Sequence, residues 1–517
     1  WMPQRSCQRN LSPPLVDPLY FEGLLRGSLK PFSPRYPRLS DLGTIMFMRW
    51  LLIFSFCCIA YSASEAQLPS SLDRIRQAHG IPYEDVSLVV REVDGEGSVL
   101  AHFPDVPRNP ASTIKLLTTW VALEVLGPTY SWPTEIYFLG DWDGQQLNGD
   151  LAIKGYGDPY LVTEEFWKLL GALRRIGLEE INGDLIIDDS FFGDVTGNPG
   201  DFDGQPYRTY NVSPNALLVN FKAIRFQFFT GPNGRDAIIT LDPLPENLNV
   251  VNQLSLTDGP CRGYQAGISF DVRDPETATT VVFSGSFPKA CSPYYLSRTV
   301  LEHDTFIFGV FGTLWRELGG QHHGGLSRGV VSDEIRPVLT WQSRPLAEVI
   351  RSINKYSNNV MTRQLLYTLG AENIAAPGTR ENGVEVIRSY LVDRGLSPES
   401  LVIDNGAGLS RETRISAALL AEVLQLAEGG PYGAEFVASM SIGGLDGTTR
   451  GRFSNQEEGR AHIKTGRLDH VTALAGYVHA ASGKTYVVTA MVNTPDAHRG
   501  PGEELLNELV NWVHALP

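Results

Sequence analysis

Ser112 and Lys115 stand three residues apart, but Ser357-Asn358-Asn359 follows only after a very long interval, and Lys464-Thr465-Gly466 later still. If these polar groups act together, the fold must bring three remote stretches to one place. The chain between Lys115 and Ser357 must then be inserted structure carried on a surface loop. Its composition agrees, because strand-like runs at 151–154, 184–187, 216–229 and 279–286 alternate with glycine and proline breaks.

Around Ser112 the pattern is helical. Pro110 suits a first turn, and Ile114, Leu117, Val121 and Leu123 recur at roughly helical spacing until Gly127. Lys115 therefore shares a face with Ser112. A serine hydroxyl becomes a nucleophile when a nearby base removes its proton, and an amine can do this where its surroundings keep it neutral. The ordinary reading of such a pair is a capping serine followed by a solvated lysine. Ser357 and Asn359 likewise fall between two helical patterns, where such residues commonly cap the following helix. Ala461 to Gly466 leads into alternating apolar residues that read as a strand.

The two ends of the chain read as partners. Residues 86–91 and 98–103 form a hairpin about Asp94-Gly95-Glu96-Gly97, while 471–480 and 485–493 form a second, followed by a helix from Glu503. Both hairpins fit one antiparallel sheet, with helices at 345–355, 359–369, 384–395 and 415–428 packed on it.

Taken together and in order, Ser-x-x-Lys, Ser-x-Asn and Lys-Thr-Gly resemble the signature of penicillin-binding proteins and serine β-lactamases. The resemblance narrows in Gly155-Tyr156-Gly157-Asp158-Pro159, Asp188-Asp189-Ser190-Phe191-Phe192 and Ser213-Pro214-Asn215-Ala216-Leu217. With Asp404-Asn405-Gly406-Ala407-Gly408-Leu409-Ser410-Arg411 and Gly444-Leu445-Asp446-Gly447-Thr448, these are similar to blocks of the class C, type 4 penicillin-binding proteins. That family comprises D-alanyl-D-alanine carboxypeptidases and endopeptidases. The resemblance implies an α/β fold, a transpeptidase-like domain of antiparallel sheet and flanking helices carrying two nested, largely β inserted domains. The expected bounds are 67–135 with 335–517 for the catalytic domain, 136–160 with 250–334 for the first insertion, and 161–249 for the nested one.

The resemblance also implies roles. Ser112 attacks the carbonyl of a D-alanyl peptide bond, Lys115 is the general base, Ser357 passes a proton to the leaving amine, and Asn359 orients Lys115 and the substrate. Lys464 and Thr465 bind the terminal carboxylate, and Gly466 lets the substrate lie close to the strand edge. The backbone N–H groups of Ser112 and Arg467 form the oxyanion hole. Asp188, Phe192 and Arg411 match positions associated with the side chain of the stem-peptide diamino acid. Asp469 stands where some relatives have glutamine, so an acceptor-only carboxylate replaces an amide there. Peptidoglycan stem peptides are the expected partners, with β-lactams as acylating inhibitors, and no cofactor or metal is called for. His322-His323 is expected in an exposed loop, and Asp141-Trp142-Asp143-Gly144 in a turn between strands.

The start of the chain points to export. Residues 1–47 read as upstream sequence, and 48–66 as a signal peptide with Arg49 before an apolar run from Leu51 to Tyr61. Without those 66 residues the net charge moves from −15 to −18, a poor basis for binding nucleic acid. Cys261 and Cys291 are then the remaining cysteines and suit one disulfide in a periplasmic protein with no stable membrane anchor. Two other readings compete. A class A β-lactamase would carry Glu-x-x-Leu-Asn between Asn359 and Lys464, and a class C enzyme a tyrosine in place of Ser357; neither is present. A non-catalytic cell-wall binding protein would be marked by loss of the serine or lysine, and both are retained.

Overall fold

The computed structural model describes residues 67–517 apart from 194, 196, 262–266, 274–278 and 454–458, so the expected upstream segment and signal peptide lie outside the described residues. Strands from the two ends of the chain form one six-stranded sheet. Val86–Glu92 pairs with Ser98–His102 on one side and Thr485–Asn493 on the other. The sheet continues through Val471–His479 and Ala461–Leu468 to the short strand Ser441–Ile442, every pair antiparallel.

Alternation along Thr485–Asn493 feeds two separate cores. Tyr486, Val488, Ala490 and Val492 pack beneath Ser70–Ala78 and the terminal helix Pro501–His514. Val487 and Met491 face the other way, into a helical core that contains Leu116, Leu117, Trp120 and Val121. The helix Lys115–Leu126 is buried at every position from Lys115 to Leu123. A helix apolar on all sides must sit at the centre of its layer, and Leu346–Tyr356, Asn359–Asn373, Arg380–Asp393 and Ala417–Glu428 surround it.

The interval between Lys115 and Ser357 is a structured insertion. Its main sheet has seven strands built on Pro133–Trp142 and Gln146–Gly155, and the strand leaving the insertion, Leu339–Gln342, pairs with the strand entering it. Two three-stranded sheets follow, one from Ile224–Thr230, Ala237–Asp242 and Tyr294–Arg298, the other from Asn249–Thr257, Ile268–Arg273 and Thr280–Pro288. These sheets divide the insertion differently from the expected bounds. Glu180–Ile181 and Leu185–Asp188 pair with Gln146–Gly155, whereas Tyr294–Arg298 pairs with Ile224–Thr230. Periodicity identifies a strand, but its partner depends on contacts remote in sequence.

Other expectations also change here. The insertion contains two long helices, Thr163–Arg175 and His303–Glu317, so it is less purely β than the glycine and proline breaks suggested. The expected strand at 216–229 begins only at Ile224. His322 is not in a free loop: Gln321–His322 is a strand beside Glu180–Ile181, and the His322 ring meets Phe311 edge-on. Cys261 and Cys291 form a disulfide. Among the described residues no helix is long and apolar enough to cross a membrane.

Where the chain leaves the helical core for the insertion, Trp132 is fully buried and its Nε1 donates to Thr368 Oγ1 at 3.0 Å. Trp132→Ala is expected to destabilise the protein by about 3–5 kcal/mol. Calorimetric melting checks this; an unchanged melting temperature would show that the junction does not depend on the indole.

Candidate active site

Ser112 lies in a 3-10 turn, Ala111–Ile114, that runs directly into the helix beginning at Lys115. The turn is held from outside. Ala111 adopts a left-handed φ of 44°, and its N–H donates to Asn109 Oδ1 at 2.8 Å. Asn109 and Asn493 exchange backbone and side-chain hydrogen bonds at 2.8 and 3.1 Å, which ties the turn to the end of a central strand. Such a conformation in a residue with a Cβ persists only where its surroundings enforce it.

Lys115 is fully buried, and its Nζ has three oxygen neighbours. Asn359 Oδ1 lies at 2.7 Å, Ser112 Oγ at 3.0 Å, and the Ala407 carbonyl is the third. The amide and carbonyl oxygens can only accept, so they take the two N–H bonds of a neutral amine, leaving its lone pair for the Ser112 O–H. Burial holds the Lys115 ammonium well below the usual lysine range, and the charges of Lys464 and Arg363 push it the same way. The arrangement is a serine hydroxyl beside an amine whose burial and neighbouring cations favour its neutral form.

Ser357 ends the helix Leu346–Tyr356 in a left-handed conformation, φ 57°. Neither it nor Asn359 caps the next helix. Asn358 does so, accepting from the Met361 N–H at 3.1 Å, which frees the Asn359 side chain for Lys115. Ser357 Oγ instead accepts from Lys464 Nζ at 2.9 Å. Lys464 also donates to the Thr465 carbonyl at 2.7 Å, and burial lowers its pKa to about 7. Thr465 Oγ1 donates to Thr448 Oγ1 at 2.7 Å.

The strand Ala461–Leu468 pairs along its length with Val471–His479, while Ser441–Ile442 covers only Ile463 and His462 on the other edge. The backbone from Lys464 onward is therefore open to an added extended strand. Gly466 has a second reason to be glycine. A Cβ there would meet the Pro110 carbonyl at 2.6 Å and the Ser112 nitrogen at 3.1 Å, so the missing side chain lets the strand abut the serine turn.

Three partners escaped the sequence reading. The Ala407 carbonyl comes from a turn shaped by Asn405, whose Oδ1 accepts from the Ala407 and Gly408 N–H groups at 3.0 and 3.2 Å. Lys355, buried beside Tyr356, binds Asp446 at 2.5 Å and joins the helix end to the loop carrying Thr448. Arg363, one turn after Asn359, donates to the Asn211 and Val212 carbonyls of the insertion. Its spacing from Asn359 was the available signal.

The expected side-chain contacts fare unevenly. Asp188 is fully buried; Ser190 N–H and O–H donate to Oδ1 at 3.0 and 2.6 Å, and Val331 N–H donates to Oδ2 at 2.8 Å. Both oxygens are thus engaged within the fold. Phe192 is likewise 6% exposed and packs on Tyr367. Arg411 does line a cavity of about 350 Å³, together with Arg363, Tyr367 and Asp404. Its guanidinium lies 4.9 Å from the Phe202 ring and donates to the Asp469 carbonyl at 3.1 Å, so Arg411 and Asp469 meet each other. Nearby, His470, Asp496 and His498 stand close enough to suggest a metal. However, His498 Nδ1 accepts from the His470 N–H and His470 Nδ1 from the Asp496 N–H, which places each neutral ring's proton on Nε2 and leaves no lone pair for a cation.

A family model described as D-Ala-D-Ala carboxypeptidase 3 (S13) matches residues 68–515. The D-alanyl-D-alanine carboxypeptidase of Actinomadura sp. (strain R39) is 28% identical over 407 residues, 76% of this chain and 74% of that protein. D-alanyl-D-alanine carboxypeptidase DacB of Haemophilus influenzae is 23% identical over 386 residues, 74% of this chain and 80% of that protein. In fold, the crystal structure of penicillin binding protein 4 (dacB) from Haemophilus influenzae is similar, with a TM-score of 0.72 and 21% identity, covering 86% of this chain and 99% of that one.

Gly466→Ala is expected to destabilise the free protein by about 1–3 kcal/mol through collision with the serine turn. Thermal melting without any ligand tests this, because a glycine needed only for substrate access would leave stability unchanged.

Proposed function

Because the chain belongs to the D-Ala-D-Ala carboxypeptidase 3 (S13) family, we propose that it hydrolyses D-alanyl-D-alanine ends of peptidoglycan stem peptides through an acyl-enzyme on Ser112. The observation that carries this reading is the buried Lys115 amine facing the Ser112 hydroxyl, with its two N–H bonds already taken by Asn359 and Ala407. Lys115 Nζ takes the proton from Ser112 Oγ as that oxygen attacks the carbonyl of the penultimate D-alanine. The Ser112 and Arg467 backbone N–H groups are assigned to the oxyanion by the family resemblance. Collapse of the tetrahedral intermediate breaks the C–N bond, and Ser357 delivers a proton to the leaving amine while Lys464 replaces it. Water then attacks the ester, and the same groups run in reverse to release the shortened peptide.

Lys464 and Thr465 are assigned to the terminal carboxylate of a substrate lying along the open edge of Ala461–Leu468. Cleavage of D-alanine to diamino acid cross-links needs only a different leaving amine, so one acyl-enzyme serves both reactions. β-Lactams are assigned as acylating inhibitors of Ser112. We place the reaction outside the cytoplasm, in keeping with the signal-like 48–66 segment and the Cys261–Cys291 disulfide.

Intact-protein mass spectrometry after exposure to a labelled penicillin should show one stable adduct on the parent and none on Ser112→Ala. Absence of an adduct with the drug left intact would overturn the catalytic reading, and absence with the drug consumed would point to a β-lactamase. The pH profile of acylation supplies a second test. Lys115 works as a base only when neutral, so the rate falls as pH drops through its pKa. Arg363→Gln removes a neighbouring positive charge, which raises that pKa; the acid limb is expected to move to higher pH. A limb that stays in place would remove Lys115 from the role of base or Arg363 from its field.

A further inference from the structure

The block Gly444-Leu445-Asp446-Gly447-Thr448 takes no part in the acyl transfer described above, yet it touches two stretches that do. Asp446 Oδ1 accepts from the Ile442 N–H at 2.7 Å, and Oδ2 accepts from the Lys355 ammonium at 2.5 Å. Lys355 lies two residues before Ser357 and its side chain is 4% exposed, so this pair fastens the block to the helix end that carries Ser357. Gly447 completes the fit. Its φ is 55°, and a Cβ there would stand 2.6 Å from the Lys355 carbonyl, a backbone atom that cannot give way. The 3-10 turn Gly447–Thr449 then leaves the Thr448 side chain exposed beside Thr465.

Thr448 divides its bonds between backbone and side chain. Its N–H donates to Ser441 Oγ at 3.2 Å, which secures the turn. Among the described residues its hydroxyl meets two others, Thr465 Oγ1 at 2.7 Å and Ser441 Oγ at 3.5 Å. Ser441 gives its own proton to the Lys355 carbonyl at 3.2 Å. Thr465 donates to Thr448, so the Thr448 proton is left with a long contact to Ser441 or with solvent. In this state Thr465 has no proton to offer a ligand.

A carboxylate only accepts, so it draws the Thr465 O–H away from Thr448. A hydroxyl turns freely, and the uncommitted Thr448 O–H can swing onto Thr465 Oγ1 across the same 2.7 Å. We infer that Thr448 is a positioning residue for carboxylate recognition: by reversing its bond to Thr465 it keeps that hydroxyl aimed at the substrate while Thr465 donates to the terminal carboxylate. In the chain from Thr448 to Thr465 to carboxylate, each bond strengthens the next. This role rests on the assignment of Thr465 to that carboxylate made above.

Two N-acyl-D-alanyl thioesters test it, one with thioglycolate as leaving group and one with the methyl ester of thioglycolate, so that the pair differs in a terminal carboxylate. The parent is expected to prefer the carboxylate in kcat/KM. Thr448→Val keeps the side-chain shape without the hydroxyl, and is expected to lower that preference about tenfold by raising KM for the thioglycolate substrate while the methyl ester is little affected. Thr448→Ser retains the hydroxyl and is expected to keep the preference of the parent. A purely structural role would lower turnover of both thioesters alike. An equal loss on both substrates, an unchanged preference in Thr448→Val, or a preference lost in Thr448→Ser would overturn the inference while leaving acyl transfer on Ser112 intact. So would a parent that turns over both thioesters without preference. A parent as inactive on both as Ser112→Ala would overturn the catalytic reading and this role with it.

Discussion

A buried lysine amine that must stay uncharged is the constraint around which the molecule is arranged. Lys115 is reached by its own serine turn, by the helix beginning at Asn359 and by the carbonyl of Ala407. None of these could hold it alone. Removing an ammonium from water without full compensation is so unfavourable that the group gives up its proton instead, and Lys464 and Arg363 reinforce that choice. The same burial that disfavours the ammonium thus makes its neighbours indispensable to packing. Chemistry and folding here draw on one set of contacts.

The two cores divide this labour. The terminal helix and Ser70–Ala78 seal one face of the sheet with an ordinary apolar layer. The other face carries the buried helix and the polar cluster at its start. A strand of the same sheet brings Lys464 and Thr465, and the absent side chain at Gly466 lets it approach the Ser112 turn. Sheet, helix and turn therefore meet at a point where a side chain would obstruct them.

Much of this was legible in the sequence. The hairpins at both ends, the helix from Lys115 and the helices flanking Ser357 follow from periodicity, because each buries a continuous face. The residues gathered around Ser112 were found through motif order. What remained hidden shares one cause, dependence on partners remote in the chain. Asn358 rather than Asn359 caps its helix because Lys115 takes the latter's oxygen. Asp188 is committed to Val331 and Ser190, which no local pattern around it announces. The division of the insertion failed for the same reason, since a strand's period is silent about its neighbour.

The insertion enters and leaves on paired strands, Pro133–Trp142 and Leu339–Gln342. It also reaches back to the helix Asn359–Asn373, where Gln364 Nε2 donates to the Asn215 carbonyl at 2.8 Å and Arg363 holds Asn211 and Val212. It is therefore a closed mechanical loop rather than a pendant lobe. Any force that rocks the inserted sheets is delivered to the helix whose first residue steadies the Lys115 amine. A load borne by the insertion would be felt at the Ser112–Lys115 pair as a change in geometry.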